Sequence, residues 1–421
     1  MKKVIGIILL FVFSIFFVKE ASAMNIIFKD VQYSFQLLRA LGAAPGGGAD
    51  IGECLKTGYR IKEGDDNSWY NEWSKTAKTV ESIGDEFASQ GHKISASEAY
   101  LRASNYYRSA EFFLHVNPKD PRIMETWGKS RDMFLKAIKL IDSPIIRPVN
   151  IPYEKTNLPA YLGLVDNSEK KRPLLIIQTG FDGTGEELFQ QTGFAALKRG
   201  YNVLVFEGPG QGAMIREQNI PFRYDWEKVV TPVVDFALQQ KETDPNRIAL
   251  MGISFGGYLA PRAAAFEHRI KICIANGGIY NFHEIMVKHG PKNFEEILDD
   301  PDGSKEIDAE LYKEMKTNPG LRWSISNGMW VFGVNSPTAF IKATRPYTME
   351  KVVSDIKCKM LIVDSQDDKD LPGQSIKLYN ALKCPKEYLL FTREEGAEEH
   401  CQIGASMISN ERIYNWLDNN L

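Results

Sequence analysis

The chain has 421 residues, 43% of them hydrophobic and 25% charged, with a formal net charge of −3. That balance suits a globular protein of two or three domains with a substantial core. No basic run with interleaved aromatics accompanies the charge, so nucleic-acid binding has no electrostatic support.

Lys2 and Lys3 precede an apolar run from Val4 to Val18, and Ala21-Ser22-Ala23 places small residues before Met24. This pattern predicts a signal peptide over residues 1–23, and an exported protein that is periplasmic or secreted. A retained anchor is the alternative, but the apolar run is short for a bilayer span. No membrane span is expected after signal removal. Cys54, Cys273, Cys358, Cys384 and Cys401 form no C-x-x-C pattern and no metal-ligand framework. Their odd number leaves at least one unpaired within a monomer, and no pairing can be assigned.

Residues 24–143 read as a helical accessory domain. An amphipathic segment from Phe28 to Leu41 is closed by Ala43-Ala44-Pro45-Gly46-Gly47-Gly48, which reads as a flexible link. A second helix starts near Asp66 to Ser68, and Trp69, Trp73, Ala77, Val80, Gly84 and Phe87 make one apolar stripe at steps of three and four. Ser95 and Glu98 have capping-box spacing for a third helix. Asp120-Pro121 opens a fourth as N-cap and first-turn proline.

From Ser143-Pro144 the periodicity changes, and residues 144–421 read as an α/β unit. Two strands, Ile145–Pro152 and Leu158–Val165, come first. Apolar strands at Leu174–Thr179, Tyr201–Glu207, Arg247–Ile253, Ile270–Ala275, Met360–Asp364 and Glu387–Phe391 then alternate with amphipathic helices. The expected fold class is α/β, a mostly parallel sheet with helices on both faces. Over eighty residues separate the strands at Ile270 and Met360, many of them helical and aromatic. An insertion there, at about residues 279–350, would lie over the carboxyl ends of the strands and reads as a lid.

The chemistry centres on Gly252-Ile253-Ser254-Phe255-Gly256, which joins an apolar strand to an alanine-rich helical segment. Such a tight turn would hold the Ser254 hydroxyl up at the end of the sheet. A serine hydroxyl needs a base to take its proton and a carboxylate to orient that base. Of the six histidines, only His400 lies beyond the last apolar strands. Asp364-Ser365-Gln366-Asp367-Asp368-Lys369-Asp370-Leu371-Pro372 follows the preceding strand and offers four carboxylates.

Several further stretches stand beside the elbow: Gly180-Phe181-Asp182-Gly183-Thr184-Gly185-Glu186-Glu187, Glu207-Gly208-Pro209-Gly210-Gln211-Gly212, Asp244-Pro245-Asn246-Arg247-Ile248 and Gly396-Ala397-Glu398-Glu399-His400-Cys401. With them the chain resembles the α/β-hydrolases over nearly its whole mature length. Within that superfamily it is similar to the branch with an N-terminal helical domain. That branch includes the 2,6-dihydroxypseudooxynicotine hydrolase-like and fungal polyketide-shortening hydrolases, with fermentation-respiration switch esterases more distant. The order serine, acid, histidine in that family agrees with His400 as base. The family's Gly-x-x-Asp frame, reaching proline four residues later, fits residues 365–372 and selects Asp368 over Asp367, although Ser365 replaces the usual glycine. The backbone N–H groups of Phe255 and Phe181 are the implied oxyanion donors.

In the carbon–carbon hydrolases of the branch an additional acidic residue near the oxyanion loop takes part in catalysis. Asp182 is the position that could match it. An ionised carboxylate there would oppose the developing charge. It must therefore point away, be protonated, or act on the leaving group; equally, it could shape its own turn. Pro261, a few residues into the elbow helix, should kink that helix without disturbing Ser254.

The first functional reading is a serine hydrolase that cleaves a carboxylic ester or related acyl compound through an acyl-enzyme. Carbon–carbon hydrolysis of an aryl ketone or β-diketone is the alternative. An acylaminoacyl-type peptidase and a non-catalytic binding protein come after these. The sequence implies no metal and no cofactor. The expected partner is a small-molecule acyl substrate, and a homodimer is compatible with the sequence.

Overall fold

The computed structural model describes residues 25–288 and 290–421. The expected signal peptide and His289 lie outside the described residues. No helix among the described residues is long and apolar enough to cross a membrane.

The N-terminal region is helical: α1 Val31–Leu41, α2 Ile51–Gly58, α3 Asp66–Ser89, α4 Lys93–Glu111 and α5 Pro121–Lys139. Three of the N-termini show why the chain starts helices there. The carboxylates of Asp30, Asp65 and Asp120 each accept from a backbone N–H in the first turn that has no partner within the helix. The capping box expected at Ser95 does not form. The helix begins two residues earlier at Lys93, with His92 at the N-cap and no side-chain cap. Ser95 and Glu98 are exposed on its surface.

The stretch Ala43–Gly48 also departs from expectation. It forms a 3₁₀ turn at Ala44–Gly46, docked against the body of the protein. A Cβ on Gly46 would stand 1.9 Å from the backbone oxygen of Gln190. The glycine is there for close approach, so the turn is a contact and not a flexible link.

Among the described residues, eight strands form one sheet in the order β1-β2-β4-β3-β5-β6-β7-β8. β1 Ile145–Tyr153 and β2 Thr156–Leu164 make an antiparallel hairpin, and β2 pairs antiparallel with β4 Asn202–Phe206. The rest is parallel: β3 Arg172–Gln178, β5 Thr243–Ile253, β6 Ile272–Asn276, β7 Lys359–Ser365 and β8 Lys386–Phe391. Between them run α6 Gly185–Leu188, continued through a π-helical turn into α7 Phe194–Lys198, then α8 Gly212–Arg216, α9 Glu227–Leu238 and α10 Gly256–Ala264. Among the described residues, five α-helices lie between β6 and β7: α11 Phe282–Val287, α12 Phe294–Asp299, α13 Pro301–Glu314, α14 Pro319–Val331 and α15 Pro337–Ala343. α16 Gln374–Ala381 and α17 Ser406–Asp418 complete the chain.

Alternate residues of the central strands feed two cores, as side chains alternate across a pleated sheet. Leu174, Ile176, Ile248 and Leu250 pack with α9, α10 and the inserted helices. Leu175, Ile177, Ala249 and Met251 share a second cluster with Trp69, Trp73 and Phe134 of the N-terminal helices and with α17. The N-terminal helices thus pack into one continuous core with that face of the sheet. Trp323 of α14 ties the inserted helices to them: its ring stacks on Phe112 at 4.2 Å, and its N–H donates to the Phe112 carbonyl at 2.9 Å.

Pro261 lies inside α10 and cannot donate to the Gly257 carbonyl four residues back. That carbonyl accepts from the Ile279 N–H at 3.1 Å instead, so the loop after β6 fills the gap.

The docked turn gives a direct test. Gly46→Ala should lower stability by about 1–3 kcal/mol, the usual range for overpacking, read by chemical or thermal unfolding. Gly128→Ala, where a Cβ meets nothing within 4 Å, should leave stability unchanged or raise it. Equal midpoints for the two variants would refute the docking of this turn.

Candidate active site

Ser254 follows β5 with φ of 62°, a left-handed conformation that a non-glycine residue adopts only when its surroundings enforce it. Here they do. The Ser254 N–H donates to the Asn276 carbonyl at the end of β6, and the Gly257 N–H donates to the Ser254 carbonyl at 2.7 Å. A Cβ on Gly252 would lie 2.0 Å from the Gly256 oxygen, and one on Gly257 would lie 1.9 Å from the Gly277 oxygen. The glycines are therefore demanded by backbone packed on backbone.

His400 lies in the loop after β8. Its Nε2 is 2.8 Å from Ser254 Oγ, and its Nδ1 is 2.8 Å from Asp368 Oδ2. The following residues, Cys401 and Gln402, both have left-handed backbones, at φ 51° and 54°. Gln402 is pinned by Asn276 and Ser365, whose bonds to its side chain are both 2.9 Å long. Buried hydrogen bonds to β6 and β7 thus hold the loop that carries the imidazole.

Asp368 is nearly fully buried, and its other oxygen accepts from the Asp370 and Leu371 N–H groups at 3.0 and 2.9 Å. Asp367 instead forms a two-pronged ion pair with Arg393. Asp364 is taken by Tyr388, and Asp370 lies 3.9 Å from His400 Nδ1 with its side chain mostly exposed. Burial pushes the His400 pKa down, but the Asp368 carboxylate beside it outweighs burial and holds it well above the ordinary value.

The loop after β3 presses against the elbow. A Cβ on Gly180 would stand 2.5 Å from Phe255 N and 3.0 Å from Ser254 Cβ. Neither the Phe181 nor the Phe255 N–H has a protein acceptor among the described residues. The Phe181 ring projects among Phe255, Phe282, Trp323, Phe332 and Phe340, with centroids 6.1–6.5 Å away. An aromatic roof from the inserted helices therefore covers the elbow.

Asp182 has a partner that the sequence reading did not anticipate. Arg39 of α1 donates to its carboxylate from Nη1 at 2.7 Å and grips Glu187 with Nε and Nη2 at 2.6 and 2.7 Å. Burial opposes the Arg39 charge, yet Asp182 and Glu187 outweigh it and keep the guanidinium a firm cation. Burial likewise opposes ionisation of Glu187, and Arg108 and Arg39 bring its pKa down to about 2. The negative charge beside the oxyanion loop is thus compensated by a residue from the N-terminal helices, which no local motif announces.

A second acidic group sits beneath the same loop. Glu207 is buried and accepts from the Gly185 and Ala213 N–H groups at 2.9 and 2.7 Å. Burial and neighbouring Glu186 raise its pKa to about 7. The five cysteines are free thiols. His283 is engaged by Thr344 and Glu295 within the inserted helices. Asp368, Asp370 and His400 are the one group of three metal-type ligands found close together among the described residues. Two of the three are already bonded to each other.

The architecture and this arrangement are those of an α/β-hydrolase, and comparison with known proteins agrees. Residues 189–322 match the prolyl oligopeptidase family. Hydrolase acrC of Aspergillus aculeatus is 35% identical over 410 residues, which cover 92% of this chain and 96% of that protein. The 20-hydroxy-prefusarin hydrolase FUS2 of Gibberella moniliformis is 34% identical over 94% of this chain and 98% of its own. Among solved structures, 2,6-dihydroxy-pseudo-oxynicotine hydrolase shares the fold with a TM-score of 0.70, at 22% identity over 90% of this chain and 95% of that one. AbyA5 shares it with a TM-score of 0.63 at 15% identity, over 92% and 94% of the two chains. The chain belongs to the α/β-hydrolase family and is a hydrolase of the branch that includes these fungal proteins.

An NMR titration of the imidazoles should place the His400 pKa above the ordinary histidine value of about 6.5. Asp368→Asn should bring it down, because the neighbouring negative charge is gone. A wild-type value at or below the ordinary one would refute this account of the pair.

Proposed function

We propose that the protein is a serine hydrolase acting on a carboxylic ester or related acyl compound. The observation that carries this reading is the unbroken chain from Asp368 Oδ2 through His400 to Ser254 Oγ, with both contacts at 2.8 Å. In this mechanism His400 Nε2 takes the hydroxyl proton as Ser254 Oγ attacks the carbonyl carbon. Asp368 holds the proton of His400 on Nδ1 and stabilises the imidazolium that forms. The carbonyl oxygen becomes an oxyanion beside the Phe181 and Phe255 N–H groups. The protonated His400 then gives its proton to the leaving group, and an acyl group remains on Ser254. Water activated by the same imidazole releases the acid. The aromatic roof favours an apolar acyl group and excludes bulk water from the reacting centre.

A second reading is carbon–carbon bond hydrolysis of an aryl ketone or β-diketone, favoured by the position of Asp182. Paired with Arg39, this carboxylate suits a hydrogen bond accepted from a substrate hydroxyl. It could thereby orient a ketone for attack without adding uncompensated charge to the oxyanion pocket.

A fluorophosphonate probe should label the wild type and leave Ser254→Ala unlabelled. In the ester assay Asp368→Asn should lose about 10⁴ in kcat, as when the orienting carboxylate of such a triad is neutralised, while Asp367→Asn keeps wild-type turnover. Absence of labelling in the folded wild type would overturn the reading. For the two substrate classes, Asp182→Asn is decisive. Ketone cleavage lost while p-nitrophenyl ester cleavage is kept favours the carbon–carbon reading, whereas wild type that ignores aryl β-diketones eliminates it.

A further inference from the structure

Three consecutive carbonyls of the oxyanion loop are held by side-chain amides that reach it from different parts of the fold. Gln211, just before α8, donates from Nε2 to the Thr179 carbonyl at 2.8 Å and to the Gly180 carbonyl at 3.2 Å. Its own oxygen accepts from the Gly208 N–H at 3.0 Å, which fixes which end of the amide faces the loop. Asn327 of α14 donates from Nδ2 to the Phe181 carbonyl at 3.2 Å.

The geometry of a peptide explains why this matters. The Gly180 carbonyl and the Phe181 N–H belong to one planar trans unit and point in opposite directions. Gln211, pinning the Gly180 carbonyl from behind, therefore aims the Phe181 N–H forward, whereas Asn327 grips the next unit, whose N–H is that of Asp182, and so fixes the other side of the Phe181 Cα. A hydrogen bond into the carbonyl also polarises the unit and strengthens its donor end.

Asn327 is fully buried, and its orientation is dictated along a relay. A carbonyl cannot donate, so the amide must present its NH₂ to Phe181 O and its oxygen to His115 Nδ1, 3.0 Å away. His115 must then carry a proton on Nδ1. On its other side Nε2 lies 3.2 Å from Arg216 Nη2 and 3.0 Å from Glu111 Oε1, and Arg216 Nε donates to Glu111 at 2.7 Å. His115 and Glu111 belong to the N-terminal region, Asn327 to the inserted helices and Arg216 to α8. The relay therefore exists only when all three are seated together.

We propose that Gln211 aims the Phe181 oxyanion donor and that Asn327 is a positioning residue for the backbone of Phe181 that carries it. Through Asn327, the residue that carries the donor is held on both sides only when α14 is docked on the N-terminal helices. This proposal rests on the serine-hydrolase reading. It extends that reading by making transition-state stabilisation depend on the seating of the inserted helices. Gln211 supplies the fixed half of the grip and Asn327 the half that arrives with the roof.

The test uses full-length protein with Asn327→Asp and Gln211→Glu, each of nearly unchanged size but lacking the donor NH₂. With a p-nitrophenyl ester, kcat should fall about 10- to 100-fold while KM changes little, less than the 10²–10³ lost when a donor is deleted outright. Affinity for an aryl boronic acid, which forms a tetrahedral anion on the serine, should fall by the same factor. Thermal unfolding identifies variants that are merely misfolded, and Asn327→Ala gives a second variant free of the added charge. Wild-type kcat and boronate affinity in folded Asn327→Asp and Asn327→Ala would overturn the proposal. So would a loss confined to KM. If the wild type itself fails to react with a fluorophosphonate, the underlying reading has failed; if it reacts and these variants match it, only this inference has.

Discussion

The left-handed backbone at Ser254 costs conformational energy that only its surroundings can offset. The β6 strand end, the glycines at 252, 256 and 257 and the loop at Gly180 all press on this one turn at close range. Because the elbow is fixed relative to β5 and β6, the serine hydroxyl has a fixed place against which the loops after β3, β7 and β8 can be set. The imidazole then needs no large movement to reach it. The strain recurs at Cys401 and Gln402, directly after His400, so both halves of the Ser–His contact are held by backbone that the fold over-determines.

Around that centre, charge is balanced by pairing across distant parts of the chain. Arg39 and Arg108 come from the N-terminal helices, and Asp182 and Glu187 from the loop and helix after β3. Breaking one partner of such a buried set leaves an uncompensated charge, which costs about 3–5 kcal/mol. The same physics leads to an electrostatic role. With Arg39 in place, the negative charge of Asp182 is balanced locally. The N-terminal helices thus serve the site twice, by closing one face of the sheet and by supplying its counter-charge.

The aromatic roof and the amide grip on the oxyanion loop connect shape to chemistry. Phe181 belongs to both: its ring is set among the rings of the inserted helices, and its carbonyl is bonded to Asn327.

Much of this was legible in the amino-acid order. The apolar runs of the parallel strands, the Asp120-Pro121 helix start and the Gly-x-Ser-x-Gly turn are short-range patterns, and each expresses a local requirement of backbone geometry or burial. Chain position favoured His400, and the loop frame implied by the family resemblance selected Asp368; the structure brings both together with Ser254. Local reasoning failed where two signals compete. Ser95 has capping-box spacing, yet α4 starts earlier at Lys93, and the glycine-rich stretch at Ala43–Gly48 is packed because Gln190 lies against it. The partner of Asp182 is 143 residues away, and the amide holding Phe181 is 146 residues away. Periodicity and motif spacing carry no information at that range, since such meetings depend on the path of the whole chain. The sequence by itself determined the hydrolase fold and the tight turn at Ser254. Only the tertiary structure decided what neutralises Asp182 and what aims the Phe181 N–H.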